Sequence, residues 1–479
     1  MMREDIIQER VHKLETYQAY ADPYPARVTR TSTCKKFLAQ FENNQLSEET
    51  LLGRVVAWRD QGKIIFGNLK DESGEVQIVL HEQKCAAYTI LKETCATGDF
   101  LEVRGVPFTT ERGANSMDVR DARIVVKALR PLPLTWYGLE NEEVRLRKRY
   151  IDTLLNQDAR DLFIKKNVFW RTIRETLHNA GFLEVEMPVL ESVPGGAEAE
   201  PFVTNNNALD RDFYLRISLE LPLKKALVGG FEKVFEIGRI FRNEGIDREH
   251  LQDYTQMECY WAYANYEDMM AFTEAMYKEV VKNVVGKMET SYQGNTINWG
   301  SAWEKVDYYE VFKKETEIDL SCTSENDLYA KAKKLHIDVP ENARKGRLID
   351  LIYKKTVRPT LIQPCFLIDP PIEVEPLAKR LEKDKNRVAR FQIVAGGTEL
   401  GKGFSELNDP LDQRMRFEEQ MKLREGGDKE AQQLDESFLE ALEYGMPPAA
   451  GFGVSERLFA VLMDKPIRET VFFPLMREE

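Results

Sequence analysis

Five short β-rich runs between residues 51 and 126 constrain the fold of this chain more than any other feature. They read LLGRVVAWRD, KIIFGNLK, GEVQIVL, DFLEVRGVPF and MDVRDARIVV, and turn residues separate them. Five strands in so short a span predict a small closed barrel of the kind that binds oligonucleotides on an exposed face. Trp58, Phe66, Gln77 and the basic Arg54 suit a surface that stacks unpaired bases. The alternative is that Trp58 and Phe66 belong to the barrel core.

The rest of the sequence divides around this barrel. Residues 1–48 show helical spacing of apolar residues, interrupted by the turn sequence ADPYP, and predict a helical extension. The proline-containing stretch LRPLPLTWYG indicates a linker, assigned to residues 131–150, after a barrel domain at residues 49–130. In residues 151–479, a long helix is expected at about residues 160–180, ended by Gly181, and the predicted strands adjoin strands more often than helices. An α+β domain with an antiparallel sheet flanked by helices is therefore expected.

Composition narrows the functional classes. The 479 residues are 43% hydrophobic and 31% charged with a net charge of −13, which argues against indiscriminate nucleic-acid binding. No apolar run approaches the roughly 18 residues of a membrane span, and the start lacks the apolar core of a signal peptide, so we expect a cytoplasmic protein. The six cysteines form no CxxC pair, so we expect neither zinc nor a disulfide framework. Any metal site therefore depends on carboxylates.

The stretch FRNEGIDREHLQDYTQMECY, residues 241–260, places several reactive side chains between two predicted strands. Because side chains alternate along a strand, Glu258 and Tyr260 are expected to share a face. Arg242 lies at a strand end, where its planar guanidinium can bind a carboxylate and a phosphate together. His250 lies in the loop. The simpler alternative is that Glu258 pairs with Arg242.

A second acidic patch occurs in GGTELGKGFSELND, residues 396–409. If that run is extended, Lys402, Phe404 and Glu406 alternate onto one face, downstream of Glu399. In GFGVSERL, glycines precede a helix that begins near Arg457. The simpler alternatives are an ion pair between Glu406 and Lys402 and a surface role for Arg457. The sequence has no P-loop, and no GxGxxG motif follows a strand, so a nucleotide site must be of another kind.

With these segments in place, the chain closely resembles the class II lysyl-tRNA synthetases over nearly its whole length, as a divergent bacterial-type member. Three segments are similar to the three signatures of the family. The first signature is matched by GFLEVEMPVLESVPGGAEAEPF, the second by the stretch that begins at residue 241, and the third by GFGVSERLFAVLMDKPIRETVFFP. KALRPLP, EVEPLAKR, GKGFSELNDP and ALEYGMPP are also similar to family segments. A chance match of so many ordered segments is not credible.

The resemblance implies a fold and an activity. The fold is an N-terminal OB-fold β-barrel that binds the anticodon, followed by a class II aminoacyl-tRNA synthetase catalytic domain. The activity is that of a lysine–tRNA ligase, which activates L-lysine with ATP to lysyl-adenylate and pyrophosphate and then transfers the lysyl group to the 3'-terminal adenosine of tRNA(Lys). Mg²⁺ is the implied cofactor, and a homodimer is the implied assembly.

The resemblance also implies residue roles. The implied catalytic residues are Arg242, Glu399 and Arg457. The implied ATP site consists of Arg242, Glu244, His250, Tyr254, Glu399 and Arg457. The implied lysine site consists of Gly196, Glu220, Arg242, Glu258, Tyr260, Lys402, Phe404 and Glu406. Tyr254 occupies a family phenylalanine position that stacks on adenine. Mg²⁺ is implied at Glu399, and anticodon contacts are implied at Arg54, Phe66 and Gln77.

The sequence departs from the family pattern at three positions. Gln392 stands where the family usually has a second metal-binding glutamate, Lys402 replaces an asparagine that contacts substrate, and Ser455 stands where a glycine is usual. We hypothesise that the Lys402 ammonium partly replaces a magnesium ion. The alternative is that Lys402 neutralises Glu406 and alters amino-acid choice. The glutamate that the family carries in the last barrel hairpin is not evident near Ala114.

Two other functions stay open from the sequence. An aspartate- or asparagine-type synthetase shares the barrel and the catalytic fold, but the acidic Glu258 and Glu406 favour a cationic substrate. A catalytically silent tRNA-binding paralogue is the second alternative. Retention of Arg242, Glu399 and Arg457 argues against it, because loss of activity usually removes groups that stabilise a transition state.

Overall fold

The computed structural model describes residues 3–43, 46–133, 141–245, 250–340, 343–425 and 432–477. The chain divides into two compact units, Met1–Glu142 and Glu143–Glu479. The finer division into segments 1–48, 49–130, 131–150 and 151–479 stays a prediction, and residues 134–140 of the expected linker lie outside the described residues. Across the described ranges, no helix is both long and apolar enough to cross a bilayer.

The first unit contains the predicted barrel. Its strands β1 to β5 are, in chain order, Glu49–Asp60, Ile64–Lys70, Glu75–His81, Phe100–Thr109 and Asn115–Val126. They close in the order β1, β2, β3, β5, β4, and only β3 and β5 pair in parallel. Ile65 and Leu69 of β2 are fully buried, whereas Phe66 between them is half-buried, as the two-residue period of a strand requires.

Three helices pack on this barrel within the first unit. They are α1, Arg3–Gln18, α2, Cys34–Asn43, and α3, Tyr88–Thr94. Tyr17 near the end of α1 is fully buried, and its hydroxyl oxygen accepts a 2.8 Å hydrogen bond from the Ile124 backbone N–H. At the start of α2, the Cys34 backbone N–H donates a 2.9 Å hydrogen bond to Asp71. These contacts attach the N-terminal helices to the barrel strands.

The second unit is built on strands β6 to β18. In chain order they are Leu183–Glu184, Leu190–Glu191, Val203–Asn206, Arg211–Leu215, Lys233–Phe241, Asp253–Ala262, Glu289–Tyr292, Asn295–Asn298, Glu304–Asp307, Cys365–Ile368, Arg390–Ala395, Thr398–Ser405 and Ala449–Ser455. Eight of them form one sheet in the order β14, β15, β16, β17, β18, β11, β10, β6. Its neighbours are antiparallel except for the outermost pairs, β14 with β15 and β10 with β6.

Helices flank this sheet, as predicted. From α4 to α14 they are Glu142–Arg147, Arg149–Leu155, Gln157–Asn179, Glu220–Val228, Tyr266–Val285, Tyr308–Thr316, Glu325–Lys334, Lys345–Ile352, Pro410–Glu425, Glu436–Glu443 and Arg457–Leu462. The long helix expected at residues 160–180 is α6, which begins three residues earlier because the Asn156 side chain caps it by accepting from the Asp158 N–H. Helices α9 to α11, between β14 and β15, form a helical insertion that the sequence patterns did not predict.

The main core of the second unit lies between α6, α8 and one face of the sheet. Phe169 and Ile173 of α6, Tyr277 of α8 and the stacked rings of Phe391 and Phe452 are buried there. Each fully buried side chain of this size contributes roughly 1.5–3 kcal/mol relative to an exposed one. This core supports the sheet from one side, so the opposite face is available for a site.

Candidate active site

The face of the sheet opposite this core carries the polar residues that the sequence singled out. On β11, Glu258 and Tyr260 point to the same side and pair with Gly453 and Gly451 of β18. A side chain at Gly451 would collide with the Tyr260 ring and with the carboxylate of Glu406. The glycines of β18 therefore leave open the space into which the three side chains project.

Glu258 is held in place by four hydrogen-bond donors. Its Oε1 accepts from Ser218 Oγ at 2.7 Å, from the Leu219 backbone N–H at 3.0 Å and from Gln256 Nε2 at 2.6 Å. Its Oε2 accepts from the Tyr260 hydroxyl at 2.8 Å. Because Glu258 is buried as well, these bonds fix its carboxylate as a rigid negative charge in the wall of the pocket.

A lysine of the chain itself completes the acidic pocket. Lys224 lies one turn after Glu220 on α7, is fully buried, and its Nζ contacts Glu220 Oε1 at 2.5 Å and Glu406 Oε2. The same ammonium lies 5.3 Å from the centre of the Phe404 ring. Sequence reasoning missed Lys224, although its i, i+4 spacing from Glu220 is a signal for an ion pair on a helix.

Burial and mutual attraction oppose each other in this cluster. Burial lowers the pKa of Lys224, but Glu220 and Glu406 outweigh burial and raise it overall, so Lys224 stays protonated. Burial raises the pKa of Glu220 to about 7, and it raises the pKa of Glu406 far above its usual range. Glu406 Oε1 is buried and accepts no hydrogen bond from any described residue. That oxygen can receive a donor from a ligand.

Gly196 forms the adjacent wall of the pocket. Its φ of +82° lies in the left-handed region that favours glycine, and an added Cβ would lie 2.9 Å from the Cβ of Glu220 and 3.0 Å from the Cβ of Ser218. A larger residue would therefore displace two groups of the acidic pocket. The predicted lysine-site residues Gly196, Glu220, Glu258, Tyr260, Phe404 and Glu406 are thus linked by these contacts.

Arg242 follows β10 and lies beside Tyr254. Its Nε and Nη2 both donate to the Ile217 carbonyl oxygen at 3.3 Å, and its guanidinium carbon lies 5.6 Å from the centre of the Tyr254 ring. Within the described ranges the Glu258 carboxylate is held by other donors, so the simple pair of Glu258 with Arg242 does not form. A guanidinium has five N–H donors, so Arg242 keeps others for a ligand.

Glu244 and His250 lie on either side of a loop whose residues 246–249 are outside the described residues. The Glu244 backbone N–H donates to the Arg242 carbonyl at 2.9 Å, and Gln252 Nε2 donates to the Glu244 carbonyl at 3.4 Å. His250 is exposed. The structure therefore places Glu244 next to Arg242, while the approach of His250 to a nucleotide stays a prediction.

Glu399 on β17 is surrounded by cations. Burial raises its pKa, but Arg390, Lys402, Arg457 and Lys354 together outweigh burial and lower it below the usual value. Glu399 is therefore ionised at neutral pH. Burial raises the pKa of the Tyr254 hydroxyl, and the Arg457 guanidinium partly opposes this by lowering it. Arg457 therefore lies near Tyr254, the residue predicted to stack on adenine.

Lys402 has a different partner from the one that the sequence proposed. Its Nζ donates a 2.8 Å hydrogen bond to Glu375 Oε2, whereas Glu406 is paired with Lys224. Arg390 Nε lies 3.3 Å from the same Glu375 oxygen. Glu375 was not singled out from the sequence, where nothing marks it as a neighbour of Lys402.

Glu399 is also the carboxylate that suits a metal ion. In the part of the chain that the structure describes, no three His, Cys, Asp or Glu side chains are grouped to hold one. Mg²⁺ commonly binds through one or two carboxylates together with substrate phosphates. Glu399 therefore fits an ion that arrives with ATP, but the described residues do not form an all-protein metal cage.

In the barrel, two of the three predicted anticodon residues lie on one outer face. Phe66 on β2 pairs with Val79 of β3, and Gln77 of β3 accepts a 2.9 Å hydrogen bond from Ser116. Arg54 is elsewhere: it donates to the Gly98 carbonyl at 3.2 Å, and its guanidinium lies 4.3 Å from the centre of the Phe100 ring.

Trp58, unlike Phe66, packs partly buried against the barrel core and covers Gly67. Trp58 therefore belongs to the barrel core, which was the alternative to a base-stacking role. Phe66 keeps its outward position.

Comparison with known proteins identifies both units. The family model of class II tRNA synthetases (D, K and N) matches residues 141–477, and the model of the OB-fold nucleic acid binding domain matches residues 49–132, which confirms the predicted fold class. A protein named lysine–tRNA ligase from Carboxydothermus hydrogenoformans is 42% identical over 99% of this chain and 98% of its own length. Another of that name, from Moorella thermoacetica, is 42% identical over 98% of this chain and 96% of its own length. One from Thermotoga maritima is 38% identical over 99% of this chain and 97% of its own. The chain therefore belongs to the class II tRNA synthetases, among the lysine–tRNA ligases.

Proposed function

We infer that this chain activates L-lysine with ATP to lysyl-adenylate and pyrophosphate, and then transfers the lysyl group to the 3'-terminal adenosine of tRNA(Lys). The observation that carries this proposal is the charge of the pocket. Three carboxyl groups, those of Glu220, Glu258 and Glu406, converge here on one internal cation, Lys224, and an incoming ammonium favours the ionised forms of Glu220 and Glu406, whose pKa burial raises. Lysine brings two ammonium groups, and its carboxylate needs a separate cation. The pocket therefore matches a diamino acid.

The pocket also distinguishes lysine by shape and hydrogen bonding. Glu406 Oε1 is open to a donor, the Tyr260 oxygen keeps lone pairs after donating to Glu258, and the Phe404 ring suits a methylene chain. An aspartate side chain would place a further negative charge among buried carboxylates. A site built from hydrogen-bonding groups can reject a substrate that lacks its partner by about 10⁴-fold or more.

Adenylate formation requires positioning and charge neutralisation more than proton transfer. A carboxylate oxygen of lysine forms a bond to the α-phosphorus of ATP, and the bond from that phosphorus to the β-phosphate oxygen breaks to release pyrophosphate. We assign to Arg242 the α-phosphate and the lysine carboxylate, and to Arg457 and His250 the outer phosphates. Tyr254 stacks on adenine, with Glu244 beside it. Mg²⁺, held at Glu399, would neutralise phosphate charge when it is bound with ATP.

In the second step, a hydroxyl of the terminal adenosine of tRNA attacks the lysyl carbonyl carbon, and AMP leaves. The barrel supplies the surface that binds the tRNA anticodon. Phe66 stacks on an anticodon base, and Gln77 hydrogen-bonds to a base edge. Arg54 stays a proposed backbone contact, although its guanidinium is already engaged by Gly98 and Phe100.

We also propose a cytoplasmic homodimer. The first-signature segment and the strands that follow it expose a set of apolar side chains, namely Leu183, Val189, Leu190, Val203 and Leu209. Exposed apolar side chains concentrated in one segment of a chain are common at protein interfaces. Light scattering of the wild type and of a Leu190→Glu variant tests the assembly, since a monomeric wild type would contradict it.

Amino-acid-dependent pyrophosphate exchange with each of the twenty amino acids, with and without tRNA, tests the proposed reaction. Lysine alone is expected to support exchange, and Glu406→Gln is expected to lose it while Glu418→Gln, an exposed change on α12, retains it. Exchange with aspartate or asparagine would replace this proposal with the related synthetase activity. Absence of exchange with every amino acid would indicate a silent tRNA-binding protein.

A further inference from the structure

The nucleotide half of the site contains an internal cation where two strands face each other. Lys402 of β17 lies directly opposite Gln392 of β16 in the antiparallel register, and Arg390 precedes Gln392 by two residues. Residues two apart on a strand share a face, so Arg390, Gln392 and Lys402 project to one side of the sheet. Glu399, further along β17, is close enough for Arg390 and Lys402 to lower its pKa.

Glu375 is paired with two cations. Lys402 and Arg390 both contact Glu375 Oε2, at 2.8 Å and 3.3 Å, so two cations share this carboxylate, and both also act on Glu399. Burial raises the pKa of Glu375, but Lys402 and Arg390 outweigh burial and lower it overall, so the carboxylate stays ionised. The Lys402 side chain is 41% exposed whereas that of Glu375 is 4% exposed, so the ammonium is the member of the pair that a ligand can reach.

Gln392 is poorly suited to hold a metal ion here. Its side chain is neutral, and its Oε1 accepts a 2.9 Å hydrogen bond from the Tyr353 hydroxyl. Tyr353 is buried and begins a π-helical turn, Tyr353–Val357, that follows α11. A divalent ion next to Gln392 would lie beside the Lys402 ammonium, which repels it. The cluster formed by Arg390, Gln392, Glu399, Lys402 and Glu375 has two carboxylates, and Glu375 is already paired with cations. Within this cluster, Glu399 is therefore the carboxylate that is left for a metal ion.

We propose that the Lys402 ammonium, held by Glu375, takes the place of a divalent metal ion on the Gln392 side of the nucleotide site, so that ATP is bound with a single metal ion at Glu399. A fixed ammonium neutralises phosphate charge without having to be recruited from solution. The inference rests on the nucleotide site of the proposed function, and it concerns how that site neutralises phosphate charge.

Counting bound metal tests this inference without turnover. Mn²⁺ binding is measured by electron paramagnetic resonance in the full-length protein with a nonhydrolysable ATP analogue and lysine. The wild type is expected to bind about one Mn²⁺ per protomer, and the double variant Gln392→Glu, Lys402→Asn about two, because a carboxylate then replaces a cation. Lys402→Arg keeps the charge and is the matched control, expected to match the wild type. About two ions in the wild type, or equal counts in wild type and double variant, would overturn the inference.

A kinetic measurement separates this inference from the proposed reaction. In lysine-dependent pyrophosphate exchange, the wild type is expected to reach its maximal rate once Mg²⁺ matches ATP, whereas the double variant needs free Mg²⁺ in excess. Equal Mg²⁺ requirements would contradict the inference while leaving lysine activation intact. A single bound Mn²⁺ without exchange by any amino acid would instead contradict the proposed function. Circular dichroism of each variant establishes that it is folded.

Discussion

Lys224 and Glu406 form a fully buried ion pair, although the two residues come from a helix and a strand that are far apart in the sequence. The pair joins α7 to the residue that follows β17. It holds the Glu406 carboxylate in the space that Gly451 leaves free by having no side chain. A buried carboxylate without its cation is strongly unfavourable. The shape of the pocket and the stability of the domain therefore depend on the same contact.

Lys224→Met is expected to impair both stability and lysine binding. Removing one partner of a buried ion pair usually costs roughly 3–5 kcal/mol, here because two carboxylates would share no cation. Chemical denaturation measures the free energy of unfolding, and pyrophosphate exchange measures the KM for lysine. Lys225→Met is the matched control, since Lys225 is partly exposed and its ion pair with Asp435 is long, 3.7 Å, so the change should be within about 1 kcal/mol. Equal effects of the two variants would contradict the assigned role.

The KM for lysine is expected to fall as pH rises through about 7, the value to which burial raises the pKa of Glu220. Below that pH the folded protein protonates Glu220, and a neutral carboxyl binds an ammonium less tightly. The unfolded chain ionises this group near pH 4.5, so the folded state binds more protons from there to about pH 7 and the contribution of Glu220 to stability decreases across that window. Glu220→Gln should remove the part of the pH dependence of the KM for lysine that is centred near pH 7. A KM that rises with pH would refute the assignment.

Gly451→Ala is expected to close the amino-acid pocket, because the new methyl group would collide with the Tyr260 ring and the Glu406 carboxylate. Overpacking of a rigid site typically costs about 1–3 kcal/mol, which corresponds to a KM for lysine raised by roughly 5- to 150-fold. Gly453→Ala is the matched control on the same strand, since its Cβ would make an ordinary 3.4 Å contact with Glu258. Exchange kinetics with lysine compare the two variants, and a pocket elsewhere would leave both near wild type.

Phe66→Ala is expected to weaken tRNA charging while leaving amino-acid activation unchanged. The loss of one base stack costs about 1–3 kcal/mol, so the KM for tRNA should rise by roughly 5- to 150-fold. Aminoacylation kinetics and tRNA-independent pyrophosphate exchange separate the two effects. Tyr20→Ala removes an exposed aromatic ring outside the barrel strands and serves as the control. A loss of exchange in Phe66→Ala would show that the substitution disrupts the fold instead.

Local pattern was sufficient for much of the architecture. Five β-rich runs separated by turn residues predicted the barrel of β1 to β5, and the two-residue period of a strand correctly placed Glu258 and Tyr260 on one face of β11. The long helix α6 was predicted to within a few residues, because its end signals are local. Helices α9 to α11 were not predicted, since short helices packed as an insertion owe their stability to tertiary contacts more than to propensity.

The choice of ionic partners required the tertiary structure. By itself, the sequence determined the family and the order of the two units, with the barrel first. It also determined the residue types that the proposed reaction needs, namely carboxylates for an ammonium group and guanidinium groups for phosphates. The simplest pairings that it offered were Glu406 with Lys402 and Glu258 with Arg242, whereas the folded chain pairs Glu406 with Lys224 and Lys402 with Glu375. The physical reason is that a side chain's spacing along a strand or helix is set by backbone geometry, but its partner is set by which elements pack together and exclude water.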